Sequence, residues 1–339
     1  MLDQTMSEAD SHAELVDRLH RLANASLHLW NASENASARL INLSENATFL
    51  VEHPDRERTV LRVHREQYHT RNAIECELAW MEALREEAGL HMPEAIPGAD
   101  GAIIQTSRIG GLANPRHLVM FKFIEGEEPE ETGDLEAPFV QLGAVSAKMH
   151  DHAQRWRRPA GFERLVWSAE NILGGPKAYW GDWRAAPAME PQAEAVLERM
   201  AETIGRRLEA FGKPEDRWGL IHGDIRLANL LITDGDTRVI DFDDCGLGWF
   251  LYDFGTALSF IEDHPKRAEL TEAWISGYRQ HRALSTAEEA EIPTFVMMRR
   301  MHLLAWIGSH SQTDLAKEQG PDFTRVSVDL AEDYLGRFG

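Results

Sequence analysis

The sequence predicts an α+β protein built as two lobes, a small sheet-rich one followed by a larger helical one. Three observations lead there. From about residue 38 to 123 the chain carries short strand-like runs, ARLINL, ATFLVE, TVLRVH, GAIIQTS and HLVMFKFI, broken by SEN and HPDRER. A single long helical segment, NAIECELAWMEALREEAG, sits among them and closes at Gly89. Beyond the acidic stretch EGEEPEETGD the helical period takes over. Leu142, Val145 and Met149 share a face, and Val196, Met200, Ile204 and Leu208 recur every four residues between Pro191 and Gly212. The expected organisation is a helical extension over 1–34, a lobe of sheet plus one helix over 35–124 and a second lobe over 125–339.

Each element follows from local pattern. Residues 11–30 read as a helix with Leu15, Leu19 and Leu22 on one face. The strongly apolar FVMMRRMHLLAWIGSH reads as a core helix. At 339 residues there is chain enough for a sizeable core in one or two domains. Lys and Arg total 35 against 56 Asp and Glu, a formal charge of −21, which argues against nucleic-acid binding. That charge suits a cationic substrate, although solubility alone accounts for it. Cys76 and Cys245 are far apart and in no metal-ligand spacing, so a reduced, cytoplasmic setting is expected. No run approaches the ~18 apolar residues of a membrane span, and the acidic start MLDQTMSEAD does not read as a signal peptide.

The chemistry concentrates in residues 220–244, LIHGDIRLANLLITDGDTRVIDFDD, where six Asp, one His and one Asn lie between apolar runs. Acids beside buried strands need a compensating partner. LLIT-DGD-TRVI is a hairpin signal around an Asp-Gly turn. Folded symmetrically about Gly235, it sets Asn229 opposite Asp241, roughly 5 Å apart. An amide oxygen and a carboxylate so placed suit Mg²⁺, whose remaining ligands come from water and substrate phosphate. His222, Asp224 and Asn229 spell H-x-D-x-x-x-x-N, the kinase catalytic-loop spacing, with Asp241-Phe242 following downstream.

Together with LYDFGTAL, these residues resemble the aminoglycoside phosphotransferase and choline kinase branch of the protein-kinase-like fold. The stretch is also similar to bacterial stress-response Ser/Thr kinases and homoserine kinases of that fold. The branch carries His-Gly-Asp and no glycine after the metal-binding Asp, as here. The resemblance implies Asp224 as catalytic base, His222 as a brace for the loop, and Asn229 and Asp241 as Mg²⁺ ligands on ATP. It gives Asp253 a buttressing role. Asp243 reads as a solvated turn residue, with a water-mediated metal contact as the other option.

In the first lobe the same chemistry needs a cation over the phosphates, held by a helix Glu. Arg62 lies between Val and Leu in TVLRVHR, and Glu77 falls inside the apolar stripe Ile74, Leu78, Met81 and Leu84, whereas Glu75 points away. Arg62 departs from the usual Lys, as choline kinases do. LSENATFLV stands where a glycine-rich loop is common, so Ser44 and Asn46 become candidates for phosphate or ribose, against a plain hairpin loop. Backbone groups of Phe121 and Phe123 in MFKFIEG are candidates for adenine.

Other features have plainer readings. The Trp- and Gly-rich stretch 156–183 is read as packing, with a cage for a quaternary ammonium as the alternative. Glu262 is read as part of a solvated helix end, and His150 and His152 as surface or interlobe residues. The expected activity is Mg²⁺-dependent transfer of the ATP γ-phosphoryl group to a hydroxyl of a small molecule, with a cationic one as an option: an amino alcohol, a homoserine-like metabolite or an aminoglycoside. The alternatives are a Ser/Thr protein kinase, an inactive nucleotide sensor and a metal-dependent hydrolase.

Overall fold

Strand-forming residues in the first third build one antiparallel sheet. The computed structural model describes residues 8–129, 133–233, 236–311 and 313–339. Residues 1–7, 130–132, 234–235 and 312 lie outside them, and with them the Asp-Gly turn that the sequence leads one to expect. In the first unit, α1 (Glu8–Ser26) precedes β1 (Ser37–Leu43), β2 (Ala47–Glu52) and β3 (Thr59–Val63). Then come α2 (Arg71–Glu87), β4 (Ala95–Ile96), β5 (Gln105–Ser107) and β6 (Arg116–Lys122). The sheet order is β1-β2-β3-β6-β4, with β5 also pairing β6.

Helix α1 covers one face of this sheet. Leu19, Leu22 and Ala23, with Leu27 and Trp30 just beyond the helix, pack on Phe49, Val51, Leu61, Leu118 and Met120. The Trp30 Nε1–H donates to the Ile96 carbonyl at 3.0 Å, so the buried indole is satisfied. Leu15 is 36% exposed, and the buried stripe therefore starts one turn later than the sequence suggests.

The second unit is mainly helical. It contains α3 (Glu136–Arg155), β7 (Leu165–Trp167), α4 (Ala169–Ile172), α5 (Pro191–Phe211), β8 (Trp218–Ile221), β9 (Leu230–Thr233), β10 (Asp236–Val239) and β11 (Gly246–Trp249). There follow α6 (Phe250–Ala257), α7 (Arg267–Tyr278), α8 (Thr286–Glu289), α9 (Ile292–Ser309) and α10 (Asp314–Phe338), the last kinked at Gly320–Pro321. Helix α9 is buried on nearly every face, as an all-round apolar helix should be. No described helix is long and apolar enough to cross a membrane.

A three-stranded sheet, β7-β11-β8, was not legible in the sequence. Its central strand, Gly246-Leu247-Gly248-Trp249, has no polar–apolar alternation because its neighbours leave room only for glycine at two of the four positions. A Cβ on Gly246 would meet the Leu165 carbonyl oxygen at 2.5 Å. This sheet matters because its strand β8 ends where the loop of interest begins.

The hairpin β9–β10 corrects the expected register. Thr233 pairs with Asp236 and Leu230 with Val239, and the Ile240 N–H reaches the Asn229 carbonyl at 3.0 Å. Asn229 therefore opposes Ile240, not Asp241. The pairing of Thr233 with Asp236 puts the symmetry point of the ladder between positions 234 and 235 rather than on 235. Asp241 then leaves the strand altogether, with φ 62 and ψ 68.

Candidate active site

The loop after β8 is held from below by one carboxylate. Asp253, in the first turn of α6, accepts the backbone N–H of His222 at 3.0 Å and that of Gly223 at 2.8 Å. Its Oδ2 also meets the His150 Nε2 at 2.9 Å. A fully buried carboxylate with three donors is a satisfied group. Burial lowers the His150 pKa, against the opposing pull of Asp253, which leaves a neutral ring with Nε2–H toward the acid. Its Nδ1 then accepts from Tyr278, at 3.0 Å, whose phenol burial pushes well above its usual range. His150 and His152 are thus both buried, not surface residues. Asp253 itself orders the loop.

Gly223 shows why the middle residue of His-Gly-Asp is glycine. Its φ is +82, and a Cβ there would lie 2.5 Å from the Asp244 carbonyl oxygen and 2.7 Å from Trp167 Nε1. Gly223→Ala is expected to cost roughly 2 kcal/mol or more, through backbone strain plus the clash. The check is a melting temperature lowered by several degrees together with reduced activity per folded enzyme.

His222 ties this loop to the hairpin. Its Nδ1 accepts the Asp224 N–H at 3.3 Å, and its Nε2 reaches the Ile240 carbonyl at 3.1 Å, a pattern that needs the Nε2–H tautomer. The ring rests against Phe242, 4.6 Å between centroids. Ile240 is thereby gripped from both sides, by His222 and by Asn229, immediately before Asp241.

Asn229 ends a short 3-10 turn and its side chain is oriented by donation. Its Nδ2 gives hydrogen bonds to the Asp224 carbonyl at 2.7 Å and to Asp224 Oδ2 at 3.0 Å. That turns Oδ1 the other way, an acceptor-only atom suited to a hard cation. Asp241 offers a carboxylate one residue past the point where the hairpin is gripped. The left-handed backbone there aims it out of the strand, and Asp tolerates that conformation better than most residues. An amide oxygen and a carboxylate with no imidazole or thiolate fit Mg²⁺ chemistry.

The turn after Asp241 is clamped by β7 and its preceding residue. Arg164 donates to the carbonyls of Asp243 and, at 2.7 Å from Nε, of Cys245. Trp167 Nε1 donates to the Asp244 carbonyl at 2.7 Å. Asp243 is buried, which corrects its reading as a solvated turn residue. Trp167, Trp180 and Trp183 are buried and pack inside the unit, whereas Tyr179 is exposed.

The carboxylate of Asp224 has partners that the sequence reading missed. Arg299, in the middle of α9, donates through Nη2 to Asp224 Oδ1, and Arg226 Nε lies 3.5 Å from Oδ2. Arg299 also donates to Ser259 Oγ at 2.9 Å and lies 3.5 Å from the Tyr252 hydroxyl. The Tyr252 hydroxyl is 2.7 Å from His302 Nδ1. With a guanidinium donating into its oxygen, the phenol keeps its own proton for that nitrogen; burial raises the Tyr252 pKa well above its usual range. Trp180 stacks on His302, 3.7 Å between centroids, and Arg299 lies 5.4 Å from the Trp180 ring centre. The neighbouring Arg300 reaches the fully buried Glu262 at 2.7 Å and Ser327 at 2.7 Å. Glu262 therefore belongs to no solvated helix end. A signal existed: two arginines inside FVMMRRMHLLAW need buried partners, by the same reasoning applied to the Asp cluster.

Burial, followed by the charge of Arg299, lowers the His302 pKa well below 6.5. The unfolded chain then binds a proton that the folded one does not. Stability is fully present above about pH 6.5 and falls on acidification, by up to roughly 1.4 kcal/mol per pH unit until the folded ring itself titrates. Melting curves between pH 7.5 and 5.5 should show this slope, and it should be shallower in His302→Gln.

In the first unit, Arg62 Nη1 meets Glu77 Oε1 at 2.6 Å, with both side chains buried, while Glu75 pairs with Arg71 at the surface. Arg62 also lies 5.1 Å from the centre of the Phe121 ring. Asn46 is buried and its Oδ1 accepts the Arg65 N–H at 3.0 Å, so that oxygen braces the unit; the Ser44 N–H bonds the Asn46 carbonyl. Phe121 lies within the ladder, opposite Val60 on one side and Ala95 on the other, whereas Phe123 lies past the strand end with Arg58 4.3 Å from its ring centre.

Comparison with known proteins gives this arrangement a class. The chain belongs to the phosphotransferase enzyme family, whose profile matches residues 37–289. It is a small-molecule kinase, a phosphotransferase with an alcohol group as acceptor. It is 44% identical to a structurally characterised microcompartment-associated aminopropanol kinase, with a TM-score of 0.86 over 94% of this chain and 98% of that one. It is 25% identical over 248 residues to an amicoumacin kinase of Bacillus subtilis (strain 168), covering 69% of each chain. A complex of an amicoumacin kinase with AMP-PNP, Ca²⁺ and Ami shares the fold at a TM-score of 0.76 and 20% identity, over 95% of both chains.

Proposed function

We propose that the protein transfers the γ-phosphoryl group of ATP, with Mg²⁺, to the hydroxyl of a small amino alcohol of the aminopropanol type. The observation that carries this reading is the 44% identity to the aminopropanol kinase across nearly the full length of both chains. The formal charge of −21 is in keeping with a substrate that carries an ammonium group.

In this reading Asp224 orients the acceptor hydroxyl and takes its proton. The acceptor oxygen bonds to the γ-phosphorus, the bond from that phosphorus to the bridging β,γ-oxygen breaks, and ADP leaves with the electron pair. The proton passes from Asp224 to solvent. Asn229 Oδ1 and Asp241 would hold Mg²⁺, which when bound neutralises charge on the β- and γ-phosphate oxygens. Arg62, fixed by Glu77, neutralises the other phosphates, and its planar fork suits their oxygens. The adenine would be read by the backbone at Phe123, beyond the paired end of β6, and Ser44 would approach the phosphates. Rate enhancement then comes from alignment and fixed charge.

The test is coupled ADP release over a panel of 1-amino-2-propanol, ethanolamine, choline, homoserine and two aminoglycosides. The short amino alcohols should exceed the others in kcat/KM by about 100-fold or more, since a site built for one polar group rejects molecules that misplace it. A preference for an aminoglycoside, or turnover of none of them, removes the amino alcohol reading.

A further inference from the structure

We infer that Arg299 is the positioning residue of the acceptor site: it fixes Asp224 from helix α9 and leaves Oδ2 as the oxygen that receives the substrate hydroxyl. This rests on the kinase reading of Asp224. Three facts about the contact support it.

First, Arg299 is held on every side. Its Nε is taken by Ser259 and its Nη1 faces Tyr252, which in turn is fixed by His302; Trp180 lies against the guanidinium. The remaining nitrogen, Nη2, is the one that meets Asp224 Oδ1. A planar fork held in this way transmits a direction to the carboxylate, which a flexible ammonium would not.

Second, the pair is asymmetric in exposure. The Arg299 side chain is 2% exposed and that of Asp224 is 18% exposed. The neighbouring pair of Arg300 and Glu262 is closed, at 2% and 0%. Two consecutive arginines thus make two kinds of ion pair. One ties α9 to Ser327 and the chain near Phe323, inside the protein. The other ends on a carboxylate that still reaches solvent.

Third, the turn that supplies Ser259 and Glu262 to the two arginines contains Phe260 at φ 70, a left-handed conformation that a bulky residue adopts at a cost. Strain of this kind persists where the surroundings impose it and gathers at functional sites. The same Phe260 ring lies 5.9 Å from the guanidinium of Arg226, the second cation beside Asp224.

The acceptor oxygen therefore approaches from the Oδ2 side, where Asn229 Nδ2 and Arg226 already bound the carboxylate. The transferred proton lands on Oδ2, while Oδ1 stays committed to Arg299. Loss of Arg299 should scatter the orientation of the base without touching nucleotide binding. The measured consequence is a fall in kcat, with little change in the affinity for ATP.

The test compares Arg299→Lys, Arg299→Ala and Arg300→Met with wild type, using the best acceptor of the panel above. Expected are a kcat lowered about 10-fold for Arg299→Lys and about 100-fold or more for Arg299→Ala, with KM for ATP within about threefold in both. Guanidinium at tens of millimolar should restore part of the kcat of Arg299→Ala and none of that lost in other variants, by refilling the same position. Arg300→Met should lower the melting temperature while kcat per folded enzyme stays within about twofold. Should Arg299→Ala fail to fold, Arg299→Lys alone decides through its split between kcat and KM. An Arg299→Lys enzyme with wild-type kcat overturns the inference, as does a loss shared equally by Arg300→Met. Turnover is read first on wild type: failure there strikes the amino alcohol reading, whereas an active wild type with an indifferent Arg299 strikes this inference alone.

Discussion

Asp224→Asn is expected to lower kcat by about 10³-fold, within the range ascribed to general-base catalysis, while MgATP affinity stays within a few-fold. Asparagine keeps the shape of the group. Its amide oxygen can still accept from Arg299, so the buried guanidinium retains a partner, and the bond from Asn229 to the Asp224 carbonyl is kept, although the amide nitrogen in place of Oδ2 no longer accepts from Asn229 Nδ2. What disappears is a carboxylate oxygen at the solvent-reaching end of the Arg299–Asp224 pair. Asp224→Ala confounds two effects, because stripping one partner from a largely buried ion pair typically costs about 3–5 kcal/mol in stability. Calorimetric titration with AMP-PNP and a steady-state kcat on the asparagine variant separate binding from chemistry. A kcat within tenfold of wild type would remove Asp224 from its assigned role.

The sequence revealed much of this site because its logic is local. His222, Asp224 and Asn229 lie within one loop, and the hydrogen bonds that order them mostly span a few residues. The Arg62–Glu77 pair was legible for a different reason. Helical period alone puts Glu77 inside an apolar stripe, and a carboxylate there demands a cation. The α+β division into a sheet-rich first unit and a helical second one is likewise a matter of local period.

What escaped was long-range or compensatory. Arg299 reaches Asp224 across 75 positions, and nothing in the pattern of α9 tells which acid its arginines will meet. The strand Gly246–Trp249 carries no polar–apolar alternation, since the Leu165 backbone at Gly246 and the Ile221 side chain at Gly248 select its glycines and leave the sequence without a β signature. The hairpin register slipped by one because a two-residue link and a turn centred on glycine look alike in sequence, yet they exchange the residues that face Asn229. The local left-handed step at Asp241, invisible to a register argument, is what carries its carboxylate off the strand.

That step makes Asp241→Asn the sharper test of the metal assignment. Both Asp and Asn accept left-handed backbone, so the asparagine variant should fold with the turn intact, whereas alanine adds strain of roughly 1 kcal/mol at φ 62. Binding of AMP-PNP without a divalent ion should be nearly the same in wild type and Asp241→Asn, because the Arg62–Glu77 pair lies on a different unit of the chain. With Mg²⁺ present the two should diverge: removing a charged oxygen ligand is expected to weaken the metal-dependent part of the affinity by about 100-fold. Asn229→Ala should weaken it less in binding yet reduce kcat further. Losing Oδ1 removes a neutral ligand, while losing Nδ2 frees Asp224 from one of the groups that orient it. If calorimetry shows equal Mg²⁺ enhancement in wild type and Asp241→Asn, the metal lies elsewhere. The grip of His222 and Asn229 on Ile240 would then be a purely structural device.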